Sequence, residues 1–323
     1  MRTIFSVCMP SNVLMTEHTP HPLDAAAPHR HSPPMSAPPP PTWAGLTLDR
    51  PRVMAVLNVT PDSFSDGGRH ADPVAAGLAM AADGADIIDV GGESTRPGAA
   101  PVPPDQEQAR ILPVIRALAA HGILVSVDTR NAATMRAAHA AGAAIVNDVS
   151  GLAHDPAAAA TVAGLGCPVV LMHMRGTPAD MTRRAQYADV IAEVTAELAA
   201  RRDAALTAGI RPEAIALDPG IGFAKRAEHS IALLRGLRHL ARLGHPLLVG
   251  VSRKSFIGTL SQETQPDRRL GGSLAAGLFA VAQGAAILRV HDVRETEQAL
   301  RVWQALLPDQ APAQRFPPAP LPR

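Results

Sequence analysis

The 323 residues carry 30 Lys and Arg against 29 Asp and Glu, a formal net charge of +1, which leaves no broad basic field of the kind that gathers nucleic acid. Apolar residues make up 46% of the chain and aromatics only 3%, so Ala, Val, Leu and Ile must fill the core and the base-stacking surfaces of single-strand binders are not expected. The two cysteines, Cys8 and Cys167, form no C-x-x-C pair, and no apolar run reaches the roughly 18 residues that a membrane span needs, so a disulfide framework, a zinc module and a membrane partner are not expected and a reducing cytoplasm fits.

In chain order, residues 1–46 come first. They are rich in Pro, His, Ser and Ala, end close to the run Pro38-Pro39-Pro40-Pro41 and show no apolar period, which predicts a disordered extension. Met1 to Pro10 is too short and too interrupted to read as a secretory signal. Residues 47–308 then alternate. β-Branched runs predict strands over 53–59, 86–90, 123–127, 144–147, 168–172, 214–217, 247–251 and 286–290. Ala-rich segments of helical length lie between them, among them 73–83, 106–120, 131–140, 189–208 and 268–283, and 293–306 follows the last strand. The Pro-rich stretch 309–323 predicts a second disordered tail. Eight strands each followed by a helix predict an α/β chain with one domain, a (β/α)8 TIM barrel. A doubly wound open sheet is the structural alternative, but no G-x-G-x-x-G follows the first strand.

A barrel of this kind carries its active site at the C-terminal strand ends, and that is where the polar residues fall. The strands deliver, in turn, Asn58, Asp89, Asp128, Asn147 with Asp148, Met172 with His173, Asp218, Ser252 with Arg253 and Lys254, and Arg289 with His291. Helix N-caps account for some of these acids, and Asp148, Asp155 and Asp292 are the candidates. The rest lie at apolar strand ends, where an unpaired carboxylate is costly. Asp128, Asn147, Asp218 and Lys254 suit a flat heterocycle that presents N–H donors beside a carbonyl. Arg96, Arg289 and His291 offer positive donors to a phosphate or carboxylate, and Asn58 offers an oxygen to a hard cation such as Mg2+. His173 reads as a satisfied core histidine beside the site. The histidines of the extension read as solvated rather than metal-binding.

Two loop segments carry a resemblance. Asn58-Val-Thr-Pro-Asp-Ser-Phe-Ser-Asp-Gly-Gly68 and Asp89-Val-Gly-Gly-Glu-Ser-Thr-Arg-Pro-Gly98 resemble the two signature segments of the dihydropteroate synthases. Ser126-Val-Asp-Thr129, Val146-Asn-Asp148, Leu171-Met-His-Met174, Leu217-Asp-Pro-Gly-Ile-Gly-Phe223 with Lys225, Ser252-Arg-Lys-Ser255 and Arg289-Val-His-Asp292 follow in family order. Ile221, Arg226 and Ser230 depart from the family's usual Phe, Thr and Asn.

The resemblance implies a pterin-binding barrel that joins (7,8-dihydropterin-6-yl)methyl diphosphate to p-aminobenzoate. It implies that Asp128, Asn147, Asp218 and Lys254 hold the pterin with Met172 against it, that Asn58 binds Mg2+, and that Thr95, Arg96, Arg289 and His291 hold the diphosphate. Ser252, Lys254, Pro97 and Phe223 then border the p-aminobenzoate site, and the loop with Phe64 and Asp66 closes over it together with the Thr95–Pro97 loop. The residues implied in catalysis are Asp66, Asp89, Arg96, Lys254 and Arg289, and the implied assembly is a homodimer. Two rival readings are a pterin-binding methyltransferase serving a corrinoid partner and a non-catalytic pterin binder; Arg96, Arg289 and His291 with the p-aminobenzoate features around Ser252 speak against the first, and the intact loop with Asn58 and Arg289 speaks against the second.

Overall fold

In the computed structural model of the chain, the described residues are 41–60, 72–94, 98–99 and 101–307. The disorder expected of residues 1–40 and 309–323, and the site residues Phe64, Asp66, Thr95, Arg96 and Pro97, lie outside them.

A two-stranded hairpin, β1 (Thr42–Trp43) with β2 (Leu46–Thr47), precedes eight parallel strands. These are β3 (Arg52–Asn58), β4 (Ile87–Gly91), β5 (Val125–Asp128), β6 (Ile145–Asp148), β7 (Val169–Met172), β8 (Ile215–Asp218), β9 (Leu247–Val249) and β10 (Ala285–Val290). They pair in chain order, and β10 pairs back with β3, so the sheet closes into a barrel. The helices between them are α1 (Pro73–Ala82), α2 (Pro104–Ala120), α3 (Ala132–Ala140), α4 (Ala158–Leu165), α5 (Val190–Thr207), α6 (Ala227–Arg235), α7 (Leu237–Leu240), α8 (Ser255–Ser261) and α9 (Leu270–Ala282), with α10 (Val293–Leu306) after the last strand. Each expected strand is present. β9 ends earlier than expected, before Gly250, and its pairing with β10 shifts register between Ala285 and Ile287.

Local chemistry sets the helix starts. Pro73 and Pro104 stand in the first turns of α1 and α2, where no amide hydrogen is missed. Asp72 accepts from the Val74 amide, and Asp189 from the amides of Ile191 and Ala192.

Strand alternation divides the apolar residues into two cores. Outward residues such as Val53, Ala55, Leu57, Ile88, Val90, Leu171 and Leu217 meet the helices. Inward residues Met54, Ile87, Ile145, Val170, Ala216, Leu248 and Ile287 fill the lower barrel. Trp43 joins this inner set at 1% exposure, and its Nε1 donates to the Ala214 carbonyl, 3.0 Å away, just before β8 begins. The hairpin is thus a floor for the barrel. This moves the boundary expected at residue 46: residues 42–47 pack on the domain, because a buried Trp with a satisfied N–H is a core residue whatever its flanks. Among the described residues no helix is long and apolar enough to cross a membrane.

Candidate active site

On the inner face of four strands the chain switches from apolar to polar in a single two-residue step: Ile87 is followed by Asp89, Ile145 by Asn147, Ala216 by Asp218 and Ile287 by Arg289, while on β7 Val170 is followed by Met172. Registers bring these steps to nearly one level: Asp89 pairs with Ser126, Asp128 with Asn147, and Met172 with Asp218. The result is a polar layer resting on an apolar plug. Above it, Asn58 pairs with Gly91, and a Cβ built at Gly91 would stand 3.7 Å from Asn58 Oδ1 and 3.4 Å from Asp128 Cβ. Asn58 and Asp128 therefore flank one gap at the mouth.

Arg289 ties this layer together. Its Nε donates to Asp89 Oδ2 (2.7 Å) and its Nη2 to Asp128 Oδ2 (2.7 Å), while Asn147 Nδ2 donates to Asp89 Oδ2 (2.8 Å). Burial works against the Arg289 cation, but Asp89 and Asp128 outweigh it and hold its proton more tightly than usual. Two carboxylates for one guanidinium leave the acids short of donors. Asp89 Oδ1 and Ser126 Oγ are buried without a partner. Burial pushes Asp128 up to about 7, against the pull of Arg289 and helped by the nearby Asp89 charge.

The opposite wall is Asp218, Phe223 and Lys254. Asp218 Oδ1 accepts from the Gly220 amide at 2.7 Å, and burial still pushes it up to about 6. Lys254 Nζ lies 4.2 Å from the centre of the Phe223 ring, and burial beside Arg289 pushes it down to about 8. Arg253 stands at φ 60 between Ser252 and Lys254. Its amide donates to Ser273 Oγ (2.9 Å), and Asp292 and Asp267 hold its guanidinium on the outside. That turn leaves Lys254 facing inward.

Ser252 and His291 meet at the third side, with His291 Nδ1 3.0 Å from Ser252 Oγ. Burial, with Arg253 and Arg289 nearby, pushes His291 down to about 4. Arg289, the other cation on this side, is engaged by two acids.

The structure thus gathers Asn58, Asp89, Asp128, Asn147, Met172, Asp218, Phe223, Ser252, Lys254, Arg289 and His291 at one end of the barrel. Asp66, Thr95 and Arg96 lie outside the described residues.

Of the three acids read as N-caps, Asp292 alone stands at that position. Asp148 accepts from the Ser150 and Leu152 amides in a turn, and Asp155 from those of Ala132 and Ala157. Asp292 stands at the N-cap of α10, but its carboxylate goes to Arg253. His173 is a satisfied core histidine, fully buried and bonded through both ring nitrogens.

Sequence reasoning missed two supports. Glu93 takes Arg130 Nη2 (2.9 Å) and the Val102 amide (3.0 Å), pinning both ends of the loop between them. Glu197 on α5 bonds His173 Nε2 (2.9 Å). The spacing of Glu193, Glu197 and Arg201 marks one polar helix face and was the available signal.

The family model described as pterin binding enzyme matches residues 54–291. The dihydropteroate synthase of Mycobacterium leprae is 49% identical over 271 residues, 81% of this chain and 95% of that protein. The Escherichia coli K12 enzyme is 47% identical over 266 residues, 81% and 94% of the two. A solved structure of the Xanthomonas albilineans dihydropteroate synthase with 4-aminobenzoic acid has a TM-score of 0.77 at 51% identity, over 81% of this chain and 96% of that one. The same enzyme in complex with 7,8-dihydropteroate has a TM-score of 0.74 at 48% identity, over 81% and 95%. With this much of both chains aligned, and the barrel's polar layer lying inside the matched span, the chain belongs to the dihydropteroate synthase family of pterin-binding enzymes.

Proposed function

We propose that this chain condenses (7,8-dihydropterin-6-yl)methyl diphosphate with p-aminobenzoate to give 7,8-dihydropteroate and diphosphate. The observation that carries this reading is the layer of Asp89, Asp128, Asn147 and Asp218 with Arg289 and Lys254 over an apolar floor. A pterin presents an edge of N–H donors beside a carbonyl. Asp128 and Asp218 accept from such donors, Asn147 both donates and accepts, and Lys254 donates to the carbonyl. Asp89 Oδ1, buried without a hydrogen-bond partner, is one more acceptor in this layer.

The chemistry follows from the charges. The C–O bond at the pterin methylene breaks with its electron pair going to diphosphate. Asp89, Asp128 and Asp218 stabilise the electron-poor pterin methylene that is left. A pterin that takes up the Asp128 oxygen releases the Arg289 guanidinium toward the leaving group, joined by Arg96 and Thr95. The neutral arylamine then attacks through its lone pair, between Phe223, Lys254 and Ser252, and the new C–N bond sheds one proton to solvent.

Asn58 supplies a neutral oxygen at the mouth, and among the described residues no group of three or more His, Cys, Asp or Glu forms a metal cage. That donor set fits an ion that keeps most of its waters and arrives with a phosphate. Asn58 would hold Mg2+, whose charge, when bound, stabilises the departing diphosphate oxygens.

We assign the chain to the cytoplasm, in keeping with the free buried thiol of Cys167. We assign it a homodimer built on α6, α8 and α9. Their apolar groove runs past Ile231, Leu234, Phe256 and Ala276, and Leu260 and Phe279 on it are 65% and 42% exposed.

The test is an assay of purified protein with pterin diphosphate, p-aminobenzoate and Mg2+, following dihydropteroate and diphosphate together. Equimolar release of both is expected. Pterin binding without turnover would identify a non-catalytic binder, and methyl transfer from methyltetrahydrofolate to a corrinoid protein would identify the rival enzyme.

A further inference from the structure

Behind the Phe223 wall lies a buried polar chain that the reaction as derived does not use. Lys225 is 9% exposed, and its Nζ meets His173 Nδ1 at 2.8 Å, the Phe223 carbonyl at 2.9 Å and the His173 carbonyl at 3.4 Å. An ammonium has three N–H groups and no acceptor, so it matches these three acceptors one to one. His173 must then present a bare Nδ1 to Lys225 and donate from Nε2 to Glu197 Oε2, 2.9 Å away. Glu197 is gripped in turn by Arg175, which also reaches Glu193 and lies 4.0 Å over the Tyr187 ring. The Tyr187 hydroxyl donates to the Ala224 carbonyl at 3.1 Å, next to Lys225.

The same histidine braces the Asp218 turn through its backbone. The His173 amide donates to the Asp218 carbonyl at 2.9 Å. Gly220 has φ +66, and a Cβ there would fall 2.0 Å from the His173 carbonyl oxygen. Residues 218–225 are therefore seated on His173 at three points: the strand end, the glycine and the lysine.

We propose that Lys225 is a positioning residue, which together with His173 and Glu197 fixes the Phe223 segment and so sets the shape of the arylamine subsite between Phe223 and Lys254. This rests on the reading of Phe223 and Lys254 as walls of that subsite. The charged groups facing Lys225 are Asp218 and Glu197, which favour its cation, and Arg175 and Lys254, which oppose it; burial is the largest influence and pushes it down to about 7. Arg201 and Glu197 face His173, which burial pushes down to about 4, as its neutral role requires.

Lys225→Met keeps the length and apolar stem and removes all three donors. The Michaelis constant for p-aminobenzoate should rise about tenfold, in line with small displacements of a reacting partner, while that for pterin diphosphate stays within about twofold. In 15N spectra of the histidine ring, the wild-type protein should show His173 protonated on Nε2 with Nδ1 accepting, and Lys225→Met should shift the Nδ1 signal. Glu197→Gln, at the outer end of the chain, gives a second variant should Lys225→Met not fold, with a smaller rise in the p-aminobenzoate constant alone. Phe223→Ala tests the underlying reading and should raise that constant by itself. If Phe223→Ala acts as expected but Lys225→Met and Glu197→Gln leave both constants unchanged, or raise both together with a fall in melting temperature, the positioning role is overturned. If Phe223→Ala also leaves p-aminobenzoate untouched, the subsite reading falls and the proposal with it.

Discussion

Asp218 holds a charge that the empty fold disfavours. Burial lifts its carboxyl from the usual 3.8 to about 6. A carboxyl raised in this way favours the folded state below about pH 4, and that contribution is lost as pH rises through about 6; at pH 8 the ionised group costs roughly 3 kcal/mol. Asp218→Asn should therefore raise the melting temperature of the empty protein at pH 8 by about 2 °C or more. The same change should weaken pterin binding by roughly 2–4 kcal/mol, because it turns an amide donor toward N–H groups. Titration calorimetry and melting curves at pH 8 check both halves, and unchanged pterin affinity would remove Asp218 from the pocket. In the wild type, protonation of Asp218 by itself should lower pterin affinity about tenfold between pH 8 and pH 5; in Asp218→Asn that tenfold factor should be missing from the pH profile. The acids were legible in the sequence because each falls at the end of an apolar run. The states of Arg289 and His291 were not. They depend on Asp89 and Asp128, far away in sequence, and on a burial that no local pattern reveals.

At the scale of elements, strand alternation made the barrel readable, since eight β-branched runs each precede a helix. The short helices were harder to place. α4 has no side-chain cap, and α6 and α7 are separated only by Gly236, so periodicity over so few residues carries little signal. The hairpin was hidden for a different reason: its two-residue strands adjoin a Pro-rich run, and only tertiary contact marks Trp43 as core. Trp43→Ala should cost about 3–5 kcal/mol of stability, the range for deleting a large buried aromatic. Urea unfolding measures it. The Michaelis constants should stay near wild type, because the hairpin lies at the far end from Asp128 and Arg289. A loss under about 1 kcal/mol would mean that the hairpin does not carry the floor.

At the scale of the whole molecule, closure of β10 onto β3 followed from the strand count, and assembly did not. Phe279 falls within the helix expected over 268–283 and Leu260 in a stretch with no expected element, and only the fold shows both turned outward. Leu260→Asp places a charge at the centre of the proposed dimer contact and should shift the sedimenting species from dimer to monomer at micromolar concentration, with the melting temperature falling. A variant that still sediments as a dimer would move the contact to another face.

The hairpin floor also governs traffic. With Trp43 and the apolar plug filling the lower barrel, anything that reaches the layer of Asp218, Asp128 and Arg289 must come to it from above, and must leave the same way. A vessel with one opening imposes a queue. In the proposed reaction the pterin is placed at the bottom and the arylamine nearer the rim, so an arylamine that arrived first would stand in the doorway. Diphosphate, placed at the rim, would be free to go before the joined product lifts out from beneath it.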